Sequence, residues 1–431
     1  MKKTIDEFLD NEYREYAETV SYRRALPSLV DGFKPTRRKI FYYMKHNKSM
    51  IRVSAIAGGI AEKCNYHHGE ASAQGTVITM SKSFASSNNY PIFIPKGTFG
   101  SKILPKSAAA ARYLHAQYNL MNDYIFLDSE LLPVNKELDS PEPEFYLPIV
   151  PLYLVNGISG IGIGYAVNIL PRKFDDVIGM IRSYLNDEKV KDCKPHYNNC
   201  NYKIERLTDS SFKISGQYKM QDKKVTVTEC LPNDDRTKII SNLIDLKEKG
   251  IIKSYKDESK EDWKITVEFT KNQPENKIVE YLNLSKQFHE NYTLLDENNN
   301  IKVFLTVPEI IKYFVDHRLN YYTKRKEYKI NQLKQEIERI RAIAFFIKHL
   351  KQITVMTEEE IYVFCQSFVS EENVKYCLKQ PLNWFLKKNL AECELKIQNN
   401  LDDIKYYTDI TDVQLYLDDL NELKKCMKRF E

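Results

Sequence analysis

The chain has 431 residues, 42% of them aliphatic or aromatic and 29% charged, with a formal net charge of +5. This length predicts two or three domains that each bury a core, and the composition is that of a soluble globular protein. The first twenty residues carry acids and lysines instead of the apolar core of a signal peptide, and the eight cysteines form no CxxC pair. These features exclude a secreted, disulfide-rich protein and predict a cytoplasmic protein with an exposed N-terminal helix.

The charge is distributed unevenly along the chain. Residues 19–122 contain 15 Lys and Arg against three acids, a local net charge of +12, and the 52 positions of residues 71–122 hold no carboxylate. Such a surface attracts a polyanion, with an affinity that falls steeply as salt rises. A solvated basic face is the alternative interpretation.

A helix-turn-helix pattern lies inside this basic segment. Residues 55–63 predict a first helix, CNYHHG a turn, and residues 70 to about 84 a second helix. This arrangement can present its second helix to a DNA groove. His67 and His68 in the turn are candidates for proton relay or phosphate binding, although adjacent histidines in a turn are also common as plain surface residues.

The stretch AAAARYLHAQ, residues 108–117, places Arg112 beside Tyr113 after four alanines. A tyrosine phenol has a pKa near 10, so it is a useful nucleophile only where cations or a base stabilise its oxyanion. At a helix end or a turn both side chains can approach one phosphate, and the alanines allow a backbone to come close. Attack on a DNA phosphate would give a reversible phosphotyrosine ester; a purely structural tyrosine is the alternative.

The longest uncharged stretch, FYLPIVPLYLVNGISGIGIGYAVNILP, covers residues 145–171 and is long enough to span a bilayer. Its prolines and four glycines would disturb the helical hydrogen bonding that a bilayer demands, so it predicts a buried, loop-rich core. The glycines do not match GxGxxG, and the chain has no GxxxxGK[ST] loop. We therefore expect no ATP site of the Walker type in this chain.

The sequence also lacks an obvious metal site. It has no DxD cluster to hold magnesium, and Cys193, His196 and Cys200 have no fourth ligand at the spacing of a zinc site. If phosphoryl transfer here needs a metal ion, its ligands are expected to come from another chain.

The pattern after Pro171 favours a separate α/β region. Alternating apolar residues predict strands over residues 202–207, 212–218, 225–231 and 263–269, and an amphipathic run that ends on glycine predicts a helix over residues 236–250.

The last part of the sequence is helical in pattern. Thr306 and Glu309 form a capping box in front of apolar residues at helical spacing that continue to about Leu350, and a second helical stretch covers residues 381–407. A helix of roughly 40 residues exceeds one compact domain. We therefore expect an antiparallel coiled-coil arm with shorter helices at its tip, of the kind that can end in a dimer contact.

Four segments resemble, in this order, the breakage-reunion region of type IIA DNA topoisomerases: YRRALPSLVDGFKPTRRKI, AGGIAEKCNYHHGE, GTFGSKILPKSAAAARY and FYLPIVPLYLVNGISGIGIGY. Within this family the chain resembles most the medium subunits of T-even phages, over nearly its full length, and Met1 just before the first motif suggests a natural subunit. KPTRRKI has Arg37 where many relatives have glutamine, and SKILPKSAAAARY replaces a glycine-containing stretch of cellular eukaryotic enzymes. Both departures leave the catalytic groups in place and bear on sequence preference and drug response.

The resemblance implies catalytic roles for five residues. Tyr113 would be the nucleophile that forms a 5'-phosphotyrosyl bond, with Arg112 stabilising the scissile phosphate. Arg24 and Lys34 would contact phosphate or the active site, and His68 would assist activation of the phenol.

The resemblance also implies contacts with DNA. Ile161 would insert as a wedge between base pairs and bend the duplex, with core packing as the alternative. Arg38 and Lys39 would contact the DNA backbone, and His67 is a further DNA-binding candidate.

The implied fold is an α+β multidomain architecture. A winged-helix DNA-binding and cleavage domain with an N-terminal helix would cover residues 1–170, and an α/β tower residues 171–305. The long antiparallel coiled-coil arm with a C-terminal dimerisation gate would cover residues 306–431.

We therefore expect the DNA-cleaving and religating subunit of an ATP-dependent type IIA topoisomerase, which acts as a homodimer on double-stranded DNA. A large partner subunit, or several further chains, would supply the toprim domain that holds Mg²⁺ and the ATPase that binds ATP. If the chain is encoded by a phage, it would work in the cytoplasm of the bacterial host. The alternatives are a non-catalytic dimeric DNA-binding scaffold and a self-sufficient tyrosine nuclease or recombinase.

Overall fold

The computed structural model describes residues 4–136, 139–381, 384–385 and 390–430. The chain divides into two compact units, Met1–Arg318 with Asp419–Glu431, and Leu319–Asp418. Every described strand lies in the first unit, and the described part of the second unit is helical. The predicted mixture of helices and sheets is confirmed.

The described α-helices vary from one turn to more than ten turns in length. They are α1 (Ile5–Phe8), α2 (Arg14–Val20), α3 (Pro35–His46), α4 (Val53–Lys63), α5 (Glu70–Ser81), α6 (Asn122–Ile125), α7 (Leu152–Asn156), α8 (Phe174–Leu185), α9 (Arg236–Glu248), α10 (Glu275–Tyr281), α11 (Val307–Lys348), α12 (Leu350–Ile353), α13 (Glu358–Cys365), α14 (Glu371–Leu378), α15 (Leu390–Asp409) and α16 (Asp412–Phe430).

The described strands are short and pair antiparallel in small sheets. They are β1 (Ile51–Arg52), β2 (Phe93–Lys96), β3 (His115–Tyr118), β4 (Ile158–Ile161), β5 (Ala166–Ile169), β6 (Lys203–Thr208), β7 (Ser211–Ser215), β8 (Gln217–Gln221), β9 (Lys224–Glu229), β10 (Ile252–Asp257), β11 (Ile265–Phe269), β12 (Ser285–His289), β13 (Tyr292–Leu295) and β14 (Ile301–Phe304).

The N-terminal segment is the exposed helix that the sequence predicts. α1 and α2 alternate with π-helical turns at Leu9–Tyr13 and Ser21–Ala25. The second π-helical turn buries its first and last residues, Ser21 and Ala25, and leaves Arg23 and Arg24 exposed. The guanidinium groups of Arg23 and Arg24 thus lie at the surface, next to the point where the chain enters the core.

The predicted helix-turn-helix is present as α4 and α5, which contact α3 and each other. α3 begins at Pro35, a position where the missing N–H of proline has no helical partner to lose. Gly59 lets α4 approach α3 closely, because a Cβ there would lie 2.4 Å from the Tyr43 ring. Buried apolar side chains from all three helices are Ile40, Phe41, Met44, Ile56, Ile60 and Val77.

A three-stranded sheet in the order β1-β3-β2 lies beside these helices. Its register places His115 of β3 opposite Arg52 on one side and opposite Lys96 on the other. A single 3-10 turn, Ala111–Tyr113, leads directly into β3.

The long uncharged stretch divides into two parts. Residues 145–155 are all buried, which confirms the predicted core. The following glycine-rich residues instead form the β4–β5 hairpin, whose tip is exposed. No helix of the described residues is long and apolar enough to cross a membrane.

The region after α8 contains the predicted strands and helix, with one correction. The sequence predicts a single strand over residues 212–218, but Gly216 divides them between β7 and β8, which lie in different sheets. Gly216 donates its N–H to the Leu284 carbonyl, and a Cβ on it would lie 2.1 Å from the Glu229 carbonyl oxygen. The predicted helix is confirmed as α9, and Gly250 after it adopts a φ of +68°.

The long helix predicted from residue 306 onwards is confirmed as α11, which has 42 residues. At its start the Glu309 carboxylate accepts hydrogen bonds from the Thr306 hydroxyl and the Leu305 N–H, both at 3.0 Å. Of the second predicted stretch, residues 382–383 and 386–389 lie outside the described residues, and α15 begins at Leu390.

Within the second unit, α11 and α15 run antiparallel. In the middle of α11, Lys326 donates to the Ile410 carbonyl at 2.6 Å, and nearer its end Ile340 shares a core with Cys393. Tyr322 also stacks on Tyr416 with ring centroids 4.8 Å apart.

Candidate functional site

Tyr113 is presented to solvent by a tight turn. The 3-10 turn Ala111–Tyr113 follows Ala110 in extended conformation, and the Tyr113 N–H donates to the Ala110 carbonyl at 2.8 Å. The Tyr113 side chain is 64% exposed. The preceding alanines bring no bulky side chain to the turn, so a large ligand can approach the phenol.

Arg112 lies against this phenol ring. Its guanidinium carbon is 4.8 Å from the centroid of the Tyr113 ring, which is a cation–π contact. Neighbouring residues on a helix point in different directions, but the 3-10 turn brings these two side chains together. The pair therefore offers a nucleophilic oxygen and a permanent positive charge at one surface position.

Two further cations near this turn are not evident in the sequence. In the small sheet, Arg52 and Lys96 are the register partners of His115, two residues after Tyr113. Gly97, with a φ of +112°, follows Lys96, and a Cβ there would meet the Tyr113 carbonyl oxygen at 3.3 Å. Nothing in the local sequence identifies these residues except the general excess of positive charge, because only strand pairing brings them to this end of the sheet.

A separate cavity of about 550 Å³ gathers three of the predicted catalytic residues: Arg24, Lys34 and His68. Arg23 and Arg37 add two more positive charges, and no carboxylate is found among the residues that line it. The lining residues are Arg23, Arg24, Lys34, Thr36, Arg37, Tyr66, His68, Gly69, Ser72, Gly75, Thr76 and Thr79. Below, this cavity is called the cationic cavity.

Four structural elements position the side chains of the cationic cavity. Arg24 belongs to the π-helical turn, and Lys34 is the residue immediately before α3. Lys34 donates through its ammonium group to the Ser159 carbonyl of the β4–β5 hairpin at 3.2 Å. His68, in the turn between α4 and α5, packs edge-on against the buried Tyr66 ring with centroids 5.4 Å apart.

The surroundings of the cationic cavity lower the pKa of two of its side chains, Lys34 and Arg37. Burial, with a smaller effect from the positive charge of Arg37, lowers the pKa of Lys34 to about 8. Burial also lowers the pKa of the Arg37 guanidinium. A partly exposed, acid-free cluster of cations gains free energy when an anion enters, because the anion offsets the repulsion between the positive charges.

The predicted catalytic residues thus form two groups within one chain. Arg112 and Tyr113 do not line the cationic cavity, which holds the other three. His67 is exposed in the same turn as His68 but is not among the lining residues either.

Ile161 lies at the end of β4 and is 88% exposed, so it is not part of the core. Burying this side chain against a ligand would remove its apolar surface from water, which is favourable. Exposure is what a wedge residue needs, and the wedge itself stays a prediction.

The structure gives Arg38 and Lys39 carboxylate partners inside the fold, and their expected contacts with DNA stay a prediction. Arg38 is held by a bidentate ion pair with the Asp31 carboxylate, at 2.9 and 3.1 Å. Lys39 is 6% exposed and donates to the Glu142 carboxylate at 2.6 Å and to the Cys64 carbonyl at 2.8 Å. Both cations neutralise buried acids inside the fold, and the next residue towards the N-terminus, Arg37, faces the cationic cavity instead.

Replacing Lys39 with methionine is therefore expected to destabilise the protein without weakening DNA binding. The substitution leaves the buried Glu142 carboxylate without its cationic partner, and such a loss typically lowers the free energy of unfolding by about 3–5 kcal/mol. Adding Glu142→Leu should recover much of this loss. Urea unfolding followed by circular dichroism measures both variants, with Lys63→Met on the exposed end of α4 as control. A loss of DNA affinity in folded Lys39→Met at unchanged stability would restore the original assignment.

The described residues contain no group of three or more His, Cys, Asp or Glu side chains that could hold a metal ion. The cationic cavity, lined by Arg and Lys, would repel one. Cys193 and Cys200 are free thiols, and burial raises the pKa of both, which disfavours the thiolate that zinc requires.

Comparisons with known proteins agree on one relationship. The family model for the A-type chain of DNA gyrase/topoisomerase IV matches residues 24–422. The DNA topoisomerase medium subunit of Enterobacteria phage T4 is 30% identical over 446 residues, covering 98% of this chain and 99% of that protein. The mitochondrial DNA topoisomerase 2 of Dictyostelium discoideum is 32% identical over 366 residues, covering 80% of this chain but only 28% of that protein.

The fold comparison extends over almost the whole chain. A crystal structure of the DNA-binding, cleavage and re-ligation domain of Plasmodium falciparum topoisomerase II superposes with a TM-score of 0.86 at 26% identity. The match covers 98% of this chain and 64% of that chain. The chain is thus similar to part of the cellular enzymes and to the full length of the phage subunit.

Proposed function

Because the chain belongs to the DNA gyrase/topoisomerase IV family, we propose that it is the DNA-cleaving and religating subunit of an ATP-dependent type IIA DNA topoisomerase. Two copies would cut the two strands of one duplex, pass a second duplex through the break and reseal it. The observation that carries this proposal is the exposed Tyr113 phenol with the Arg112 guanidinium on its ring. Substitution of Tyr113, argued in the Discussion, is the experiment that tests it.

The proposed reaction is a transesterification. The Tyr113 oxygen forms a bond to phosphorus, the bond from phosphorus to the 3' oxygen breaks, and that oxygen leaves as a hydroxyl after taking up a proton. His68 is the proposed acceptor of the phenol proton. Arg112 stabilises the charge on the phosphate. Since the ester keeps the energy of the broken bond, attack by the 3' hydroxyl reverses the reaction and reseals the strand.

The cationic cavity is the proposed phosphate-binding half of the site. Arg24 and Lys34 would bind the DNA phosphates, with Arg37 as an addition to the predicted set. Since Tyr113 does not line this cavity, we propose that the two halves come from different copies in a homodimer. Tyr113 of one copy would then react on a phosphate held by the cationic cavity of the other.

The remaining chemistry is assigned to partner chains. Mg²⁺ would be held mainly by a toprim domain on a large subunit, since the described residues here do not suit it, and it would stabilise charge on the reacting phosphate. ATP would bind to an ATPase on the same or a further subunit. By itself the chain would dimerise and bind DNA but cleave poorly, in the bacterial cytoplasm if it is encoded by a phage.

The proposed domains follow from these roles. Residues 1–170 would form the winged-helix cleavage domain, with α5 as the helix nearest to DNA and the β1-β3-β2 sheet as the wing. Residues 171–305 would form the tower that supports the flanking duplex. Residues 306–431 would form the coiled-coil arm, and its dimerisation gate would let the passed duplex leave.

Shortening the wedge is expected to reduce DNA bending. Ile161→Ala removes most of the apolar surface that would enter the base stack, so the bend that it stabilises should relax. Energy transfer between dyes at the two ends of a duplex of about 30 base pairs reports the bend. The control is Ile244→Ala, which shortens an exposed isoleucine on α9. Equal transfer in wild type and Ile161→Ala would exclude the wedge.

DNA affinity is expected to depend on pH through Lys34. In the free protein its pKa is about 8, and a bound phosphate favours the protonated amine, so binding takes up a proton above this pH. Affinity should therefore be level below pH 8 and fall by up to about tenfold per unit above it. Fluorescence anisotropy from pH 7 to 9.5 measures the curve. Lys34→Arg should flatten it, and Lys63→Arg should not; a curve unchanged in Lys34→Arg would refute the assignment.

A further inference from the structure

The β4–β5 hairpin lies against the elements that carry the cations of the cavity. A Cβ built on Gly160 would lie 2.0 Å from the Ala25 carbonyl oxygen, at the end of the turn that carries Arg24. The same Cβ would lie 3.0 Å from the Lys34 ammonium nitrogen. Only a residue without a side chain fits between these two groups, so the contact depends on glycine.

The residue before this glycine contacts Lys34 directly. The Ser159 carbonyl accepts a hydrogen bond from the Lys34 ammonium at 3.2 Å. A carbonyl dipole favours the protonated amine, whereas burial and the charge of Arg37 favour the neutral amine. The charged and titratable groups that face Lys34 from the surrounding elements are Arg23, Arg24, Arg37, Tyr66 and His68.

The base of the hairpin is fixed on its other side. Asn168 of β5 exchanges two backbone hydrogen bonds of 2.9 Å with Asn291. The Leu170 N–H donates to the Glu290 carboxylate at 2.7 Å, and Arg172 holds that carboxylate through two hydrogen bonds of 3.0 and 2.8 Å. The ion pair is buried, so the base resists displacement, while the tip with Ile161 remains exposed.

We propose that Ser159 and Gly160 are positioning residues that couple Lys34 to the hairpin carrying Ile161. Lys34 is held in position for a phosphate only when the hairpin is seated on the Ser21–Ala25 turn. A force on the exposed tip acts first on Gly160, the neighbour of Ile161, because Ser159 pairs with Asn168 at the anchored base. This inference rests on the proposed function in so far as DNA is the ligand that contacts both Ile161 and Lys34.

Gly160→Ala tests the coupling because its methyl group must push the hairpin away from Ala25 and Lys34. Displacing the hairpin relieves the burial that lowers the pKa of Lys34, an effect larger than the loss of the Ser159 hydrogen bond, so the pH midpoint of DNA affinity should shift upwards by about half a unit or more, a roughly threefold change in proton affinity. DNA cleavage with the partner subunit should fall by more than the affinity at pH 7. In a Lys34→Arg background, Gly160→Ala should cause no pH shift, because arginine does not titrate in this range.

The matched control is Gly179→Ala on α8, where an added Cβ meets nothing within 4 Å. Circular dichroism establishes that each variant is folded. If Gly160→Ala does not fold, Gly162→Ala displaces the same hairpin more mildly, since its Cβ would lie 3.0 Å from the Ser21 hydroxyl and 3.2 Å from the Ala25 methyl. It should shift the midpoint in the same direction by a smaller amount.

An unchanged midpoint in the folded variant, or a wild-type curve without a Lys34-dependent midpoint, overturns the coupling. Failure of the proposed function gives a different result, because the anisotropy titration needs only DNA binding. If Gly160→Ala shifts the midpoint but the wild-type protein forms no covalent adduct, the coupling stands and the proposed cleavage reaction is refuted. If the wild-type protein forms the adduct but Gly160→Ala does not shift the midpoint, only the coupling is refuted.

Discussion

Tyr113→Phe will bind DNA and support no covalent adduct when it is combined with the large partner subunit, Mg²⁺ and supercoiled plasmid. The substitution removes one oxygen from a side chain that is 64% exposed, so the fold and the phosphate contacts should persist. Without the nucleophile, formation of the ester should fall by at least about a thousandfold. Detergent trapping followed by detection of protein on the 5' ends measures the adduct, and wild type should yield linear DNA with protein attached.

The control is Tyr124→Phe, which changes another exposed tyrosine of the first unit and should cleave as wild type does. Equal adducts from wild type and Tyr113→Phe would move the nucleophile to another tyrosine. If neither protein forms an adduct, although the partner mixture hydrolyses ATP, the chain is a DNA-binding scaffold. Adducts from the chain without any partner would identify a self-sufficient nuclease or recombinase.

Combined with the large partner subunit and Mg²⁺, a mixed dimer of one Tyr113→Phe copy and one His68→Ala copy will nick DNA, whereas neither homodimer will cut. Tyr113 lies outside the cavity that holds His68, so each proposed site combines Tyr113 of one copy with the cationic cavity of the other. In the mixed dimer one site then has both residues intact, and the other has lost both. Loss of a proton acceptor alone costs roughly a hundredfold to ten-thousandfold, so the homodimers give a clear background.

The dimers can be isolated through two affinity tags and tested for nicked plasmid with a single protein copy attached. The reciprocal control combines wild type with a copy that carries both substitutions. If each site combines residues from both copies, this dimer has no intact site. If each site lies within one copy, the wild-type copy keeps one intact site. Nicking by the reciprocal dimer but not by the mixed dimer would place Tyr113 and His68 of the same copy in one site and require the chain to rearrange on binding DNA.

The residues around Tyr113 show which features of the candidate site can be predicted from the local sequence. The adjacency of Arg112 and Tyr113, the alanines before them and the acid-free segment around them are all visible in the chain order. The structure adds the 3-10 turn Ala111–Tyr113, and this turn brings the phenol and the guanidinium together. Arg52 and Lys96 reach the same end of the sheet only through strand pairing, so no local pattern could reveal them.

KPTRRKI shows what the sequence alone leaves undetermined. Three consecutive cations look equivalent in the chain, but successive residues of a helix point about 100° apart and so meet different surroundings. Arg38 meets Asp31 and Lys39 meets Glu142, which is 103 positions away in sequence. Arg37 is left facing the cationic cavity. Which cation neutralises an acid and which binds a ligand is decided by partners that only folding brings near.

Periodicity and capping are local properties of the chain, so helices α4, α5, α9 and α11, several strands after Pro171 and the order of the chemical motifs could be predicted from the residues alone. Four motifs in a fixed order likewise sufficed to indicate the family. Three other facts arise only in the folded chain: Arg24, Lys34 and His68 share a cavity that Tyr113 does not enter, Gly216 divides two sheets, and Gly160 lies between Ala25 and Lys34. These facts depend on close packing between segments far apart in sequence, and the free energy of such contacts has no counterpart in any local pattern.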